Sequence, residues 1–285
     1  MKILIILKKW SGGVGVVVKN IKKELEKRGH YVKVISREED LKIYSLAKSI
    51  FPIRKKIVSL MKKENFDVIY TQDWSLAFSF IFPFRIFKKK HFTCFHGNQL
   101  GKTKAMQKII GKSMGKNLVV VGDSLKRRFP KSNLIYNGVD LDMFKPLHKK
   151  RNCLGWINKD TEILSEKDIK ILSKSLGLTL LIAKSIPFED MNSKFYNKCK
   201  IFVSLPPKSA GFNLCWIEAM AARVPIIIGN REGIGKKLRI NKVKSKKNLF
   251  GNIKYFKEKD YRKEIEKSDL TWNNHVDKLV GTWRK

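Results

Sequence analysis

The first 36 residues restrict the fold more than any other part of the chain. ILIIL (3–7) is an unbroken apolar run, and SGGVG (11–15) is a tight glycine turn. Val14, Val17, Val18, Ile21 and Leu25 then recur on one face of a helical period. Gly29 stops that helix, and HYVKVIS (30–36) reads as a second strand. Strand, turn, helix and strand in this order make a crossover unit, which requires a parallel sheet. Such sheets bind ligands at the carboxyl ends of their strands.

The alternation continues through FDVIYT (66–71), HFTCF (91–95), NLVVVGD (117–123) and NLIYNG (133–138), with SLKRRF (124–129) as a short helix. FKPLHKKRN (144–152) is polar, basic and broken by Pro146, and reads as a linker. A second series follows: strand CLGWI (153–157), helix SEKDIKILSKSLG (165–177) with a serine cap and a glycine stop, and strand TLLIAKSI (179–186). NSKFYNKC (192–199) reads as a short helix, KIFVSLP (200–206) as a strand, the segment holding Glu218 as a helix, and VPIIIGN (224–230) as a strand. Helical stretches at about 255–267 and 271–284 complete the chain. The fold class is α/β, with two sandwiches in series.

Composition narrows the function classes. Four scattered cysteines, with no CxxC and no Cys/His cluster, argue against a zinc site and a disulfide framework and fit a reducing cytosol. The apolar start leads straight into a glycine turn, unlike a signal peptide, and the longest apolar stretch (74–87) is broken by Pro83 and Arg85. With 61 Lys and Arg against 25 Asp and Glu, the formal charge is +36. That charge suits nucleic acid, an anionic membrane or a phosphorylated substrate, or a lysine-biased composition without a specific partner.

Three places can carry chemistry. SGGVG can present backbone N–H groups to an anion at a helix start, or can simply turn the chain. It is not GxGxxG, and Ser36-Arg37 stands where a dinucleotide site has an acid. His96, in FTCFHGN, follows a strand directly and so faces the ligand end of the sheet. PPKSAG (206–211) leads into GFNLCWIEAMA, where Glu218 lies about two turns into the helix. A carboxylate there can accept two hydrogen bonds from a vicinal diol, or it can be a solvent-facing residue of an amphipathic helix. No GxSxG elbow suggests a hydrolase.

These segments, in order, resemble the GT-B-fold retaining glycosyltransferases of the family 4 type. SGGVGVVVKNIKKELEKRGHYVKVIS is similar to the family's glycine loop, first helix and second strand, and FDVIYTQDW resembles its next segment, with Tyr70 and Gln72 replacing histidines. FTCFHGN resembles its histidine turn. VVVGDSLKRRFP and NLIYNGVDLDMFKP resemble the stretch before the interdomain linker, and AGFNLCWIEAMAARVPIIIGN the acid-containing donor helix. Trp272 in LTWNNHVDKLV matches the C-terminal helix.

The resemblance implies two Rossmann-like domains facing across a cleft: an acceptor-binding domain (1–145), a nucleotide-sugar-binding domain (152–268), and a last helix (269–285) returning to the first domain. It implies a cytoplasmic hexosyltransferase that retains anomeric configuration and uses no metal or cofactor, with a UDP- or GDP-sugar as co-substrate. Glu218 would hold the donor ribose, and Gly211, Phe212, Asn213 and Leu214 would lie along the diphosphate. His96 would sit near the transferred sugar, Gly12 and Gly13 near the reaction centre, and Lys159 on a phosphate. The family's first acid falls on Ala210, Asn213 replaces a glycine, and Trp156 stands where arginine is common. Ala210 also admits a non-catalytic nucleotide-sugar-binding subunit. LAKSIFPIRKKIVSLMKK (46–63) and FSFIFPFRIFKKK (78–90) mix apolar and basic residues as an anionic membrane surface would favour, which suggests a lipid-linked or saccharide acceptor. The absence of an aromatic–basic RNA motif speaks against a specific nucleic-acid partner.

Overall fold

The computed structural model describes residues 1–44, 50–82, 85–88, 90–101, 103–147, 150–157, 164–184, 186–205, 212–229, 241–243, 246–252, 261–268 and 270–285. The chain divides into two compact units, one of Met1–Asn137 with Trp272–Lys285 and one of Gly138–Thr271. The break falls ahead of the basic stretch at 144–152. Phe144 is buried edge-on against Phe188 and Tyr196, so this stretch packs as part of the second unit.

The first unit holds six parallel strands: β1 (Lys2–Leu7), β2 (Tyr31–Ser36), β3 (Val68–Thr71), β4 (His91–Phe95), β5 (Leu118–Val120) and β6 (Asn133–Leu134). Their order is β2-β1-β3-β4-β5-β6. All of β3 and β4 is buried, as expected for parallel strands covered on both faces. The connecting helices are α1 (Gly13–Lys27), α2 (Ile50–Glu64), α3 (Trp74–Ile81), α4 (Thr103–Met114) and α5 (Asp123–Arg128). Chain order reverses direction between β1 and β3, which makes that pair the switch point of the sheet.

Helix α1 buries Gly15, Val17, Val18, Ile21 and Leu25, while Val14 is only half-buried. Gly15 takes the core position because the chain crosses tightly over it. A Cβ there would lie 1.7 Å from the Trp10 carbonyl oxygen. Gly12 caps the helix at φ +83°, a conformation open to glycine at little cost.

The second unit has the parallel strands β7 (Cys153–Trp156), β8 (Thr179–Ile182), β9 (Cys199–Ser204), β10 (Ile226–Gly229) and β11 (Asn241–Val243), in the order β11-β10-β9-β7-β8. Its switch point is the β7–β9 pair. The helices are α6 (Glu166–Ser175), α7 (Leu214–Ala221), α8 (Lys246–Asn252) and α9 (Arg262–Glu266). Helix α6 begins with a full capping box between Ser165 and Asp168, and Gly177 at φ +62° turns the chain out of it. The segment read as a short helix at 192–199 is instead π-helical at Met191–Phe195 and passes into a 3₁₀ turn at Tyr196–Lys198. This widened turn buries both Phe195 and Tyr196.

The last helix, α10 (Trp272–Trp283), belongs to the first unit. Arg28, just after α1, donates to the Asn273 side chain at 2.5 Å and to Asp277 at 3.1 Å, and Trp283 packs edge-on to Tyr70. Gly15→Ala is expected to lower the thermal midpoint sharply, because the backbone at Trp10 must move and overpacking costs about 1–3 kcal/mol or more. Gly13→Ala, which meets nothing within 4 Å, is expected to leave it unchanged or higher. Thermal denaturation of the two variants checks the contrast.

Candidate functional site

Parallel topology assembles one rim in each unit. In the first, β1 ends in the Gly12–Gly13 turn, β3 in Gln72 and Asp73, and β4 in His96. Gly12 and Gly13 are exposed, and no atom occupies the space a side chain would take at either. The backbone there is open to a ligand at the uncapped start of α1, where the helix dipole favours negative charge.

His96 is half-buried, and its Nε2 lies 2.9 Å from Gln72 Oε1. An amide oxygen only accepts, so Nε2 carries the proton and Nδ1 is left as an acceptor. Burial, with a smaller contribution from His275, pushes the His96 pKa down to about 4, so the ring is neutral near pH 7. The Gln72 amide nitrogen lies near the Tyr70 hydroxyl without forming a hydrogen bond of good geometry. Two further residues complete the rim. His275 Nδ1 bonds the Tyr136 carbonyl at 2.8 Å, and the Tyr136 hydroxyl donates to Asp123 at 2.7 Å.

In the second unit, β9 leads to α7. The helix begins at Leu214, so Glu218 lies just over one turn in rather than two. It is 7% exposed, which excludes the solvent-facing reading. The Tyr196 hydroxyl donates to Glu218 Oε2 at 2.7 Å. Burial nevertheless dominates and raises the Glu218 pKa from 4.5 to about 7, with the tyrosine acting in the opposite direction. Two residues earlier on α7, Trp216 Nε1 donates to Ser204 Oγ at 2.8 Å and pins the helix to the end of β9.

Phe212, Asn213 and Leu214 are half-exposed at the start of α7. Asn213 occupies the cap position without a capping hydrogen bond, and its buried side-chain nitrogen has no partner among the described residues. Trp156 is fully buried in the hydrophobic core with Leu154, Leu164 and Ile169, which removes it as a phosphate ligand. Lys159, Ala210 and Gly211 lie outside the described residues. Sequence reasoning missed Tyr196 as the partner of Glu218, since nothing in the sequence links positions 22 residues apart on a turn and a helix. Among the described residues no group of three or more His, Cys, Asp or Glu side chains is placed to hold a metal ion, and no helix is long and apolar enough to cross a membrane.

Two successive parallel sheets, in each of which the chain order reverses about one central strand pair, give the chain the GT-B fold. Residues 11–143, a little under half of the chain, match the family model of Glycosyltransferase Family 4. Compared with curated proteins by sequence, the chain has no significant match. Among solved structures it is similar to sucrose-phosphate synthase from Thermosynechococcus elongatus, with a TM-score of 0.73 and 14% identity over 100% of this chain and 98% of that one. A glycosyltransferase from Rickettsia africae gives a TM-score of 0.70 at 19% identity, over 99% and 97% of the two chains. Anabaena HepE in complex with UDP gives 0.66 at 12% identity, with both chains covered completely.

The buried carboxyl has a pH signature of its own. The folded chain keeps the Glu218 proton up to about pH 7, whereas the unfolded chain loses it near 4.5. Between those values the folded state binds more protons, so this group's contribution to stability falls as pH rises through the window and is fully lost above it. Glu218→Gln removes the titration. Its thermal midpoint is therefore expected to match the wild type near pH 5 and exceed it near pH 8, measured by scanning fluorimetry across that range. A midpoint difference that does not change with pH would contradict the assignment.

Proposed function

We propose that the chain is a retaining, metal-independent hexosyltransferase that takes a UDP- or GDP-sugar donor. In this reading the second unit binds the donor. Glu218 accepts hydrogen bonds from the ribose hydroxyls, and the backbone of Gly211, Phe212, Asn213 and Leu214 at the α7 start, together with Lys159, offsets the diphosphate charge. In the first unit His96 faces the transferred sugar, and its neutral Nδ1 accepts from a sugar hydroxyl. The Gly12–Gly13 turn leaves room for the reacting groups. The bond from the anomeric carbon to the diphosphate oxygen breaks, a bond to the acceptor oxygen forms on the same face, and the acceptor's hydroxyl proton passes to the departing diphosphate. Stabilised leaving-group charge and an oriented sugar supply the rate.

The observation that carries this reading is the start of α7. It places a helix end without a side-chain cap, a buried amide donor on Asn213 with no partner among the described residues, and a buried carboxyl one turn on, at the switch point of a parallel sheet. An unpartnered buried donor costs about 1–3 kcal/mol, which a bound diphosphate oxygen would recover. The same fold in HepE is seen with UDP bound, which supports a uridine donor. A thermal-shift panel of nucleotide sugars tests the reading, since a donor that binds only the folded state raises its midpoint. Glu218→Ala is expected to weaken the stabilising donor by tenfold or more, in line with the ~1.5–3 kcal/mol of a hydrogen bond to a charged group. His96→Ala is expected to lower the transfer rate with a smaller effect on donor affinity. Unchanged donor affinity in Glu218→Ala, measured by calorimetry, would overturn the ribose assignment.

For the acceptor, a lipid-linked saccharide at an anionic membrane surface fits α2. That helix buries Ile53, Ile57 and Met61 and leaves Phe51 68% exposed beside Lys55, Lys56, Lys62 and Lys63. Each basic residue near an anionic surface contributes about 1 kcal/mol. Flotation is expected with vesicles containing anionic lipid and not with zwitterionic ones. Absence of binding to both would leave a soluble saccharide acceptor.

A further inference from the structure

We propose that the first unit carries a second ligand site, for a short run of adjacent phosphate groups, on the rim opposite Gln72 and His96. β4, β5 and β6 are neighbouring parallel strands, so their amino ends share one edge of the sheet. Each is preceded within three residues by a lysine: Lys88 before His91, Lys116 before Leu118 and Lys131 before Asn133. Adjacent strands lie about 4.8 Å apart, so the topology lines up three ammonium groups along one short edge.

The edge is concave. A cavity of about 780 Å³ is lined by Lys88, Lys116 and Lys131 with Phe92, Asn117 and Thr282. It adjoins a second of about 400 Å³, lined by Lys126 and Lys278, and the two share Asn133, Thr282 and Lys285. No acidic side chain lines either one. Elsewhere in this unit lysines pair with carboxylates, as Lys33 does with Glu64 and Lys27 with Glu24. Lys88, Lys116 and Lys131 have no carboxylate partner among the described residues.

The loops that bear these lysines are fixed. The Asn117 side chain donates to the Lys88 carbonyl at 2.8 Å and to the His91 carbonyl at 2.9 Å, and Asn133 donates to the Lys116 carbonyl at 2.6 Å. Lys126 Nζ is held by the carbonyls of Pro130 and Ser132 at 2.8 and 2.6 Å. A pocket of ligand size with several lysines and no acidic side chain in its lining selects a compact polyanion. Lysine ammonium groups act as point charges toward phosphate. The one aromatic lining residue, Phe92, is buried and offers no face for base stacking, so recognition would be of the phosphates alone.

Tripolyphosphate is the probe, titrated calorimetrically at about 0.15 M salt, where charges more than ~8 Å apart are largely screened. The wild type is expected to bind it saturably, near one per chain, without competition from uridine diphosphate. The variant K88Q/K116Q/K131Q is expected to bind at least tenfold more weakly. The charge-matched control K19Q/K104Q/K108Q, on α1 and α4, is expected to bind like the wild type, with both variants checked for an unchanged thermal midpoint. Equal weakening in both variants would reduce the effect to net charge and overturn the site. So would full competition by uridine diphosphate, or the absence of saturable binding. Lysine-dependent capture by phosphatidic-acid vesicles without tripolyphosphate binding would assign the phosphates to a lipid and overturn the soluble ligand proposed here.

Discussion

The pairing of β1 with β3 organises the first unit. β1 is buried along five of its six residues and has a neighbour on each side, so the chain must leave it in one direction for β2 and return on the other side for β3. The loops after β1 and β3 therefore diverge, and the gap between them becomes a crevice at the carboxyl rim. β7 repeats the arrangement between β8 and β9 in the second unit. Backbone topology alone thus supplies two places where helix starts and strand ends can meet a ligand. Side chains such as His96 and Glu218 only tune what those places accept.

The energetic tension sits in the second unit. Burying a carboxyl on an otherwise apolar helix is costly, and the single hydrogen bond from Tyr196 does not restore its ordinary acidity. A core optimised for stability alone would place an apolar residue there. Hydrogen-bond donors brought to this carboxyl would favour its charged form, so its burial couples protonation to whatever occupies the site. Tyr196 reaches Glu218 from the 3₁₀ turn that follows the π-helical segment Met191–Phe195.

The legible parts of the sequence were those written in local code. The crossover at the amino terminus, the Ser165 cap, and the Gly29 and Gly177 stops each follow from residues within a few positions of one another. β11 and α4 were not read, since NKV is too short for periodicity and α4 begins in a polar stretch after Gly101. Within SGGVG the three glycines looked alike, yet they do different things: Gly12 sets a backbone angle, Gly13 leaves open space, and Gly15 admits the Trp10 carbonyl. Trp156 aligned with a ligand position but packs into the core, a distinction that only tertiary burial makes. The lysine rim was invisible for the same reason. Lys88, Lys116 and Lys131 are scattered along 44 positions and come together only through strand order.

The net charge of +36 takes a different meaning once it is resolved onto the sheet. Spread evenly, such a charge favours contact with any polyanion and destabilises the compact state by self-repulsion. In the first unit the carboxyl rim carries the neutral imidazole of His96, an amide at Gln72 and open glycine backbone. The amino rim concentrates ammonium groups in a cavity whose lining has no acidic side chain. The two rims of the sheet lie about one strand length apart, so the lysine edge and the His96 edge are separate surfaces of one highly basic unit.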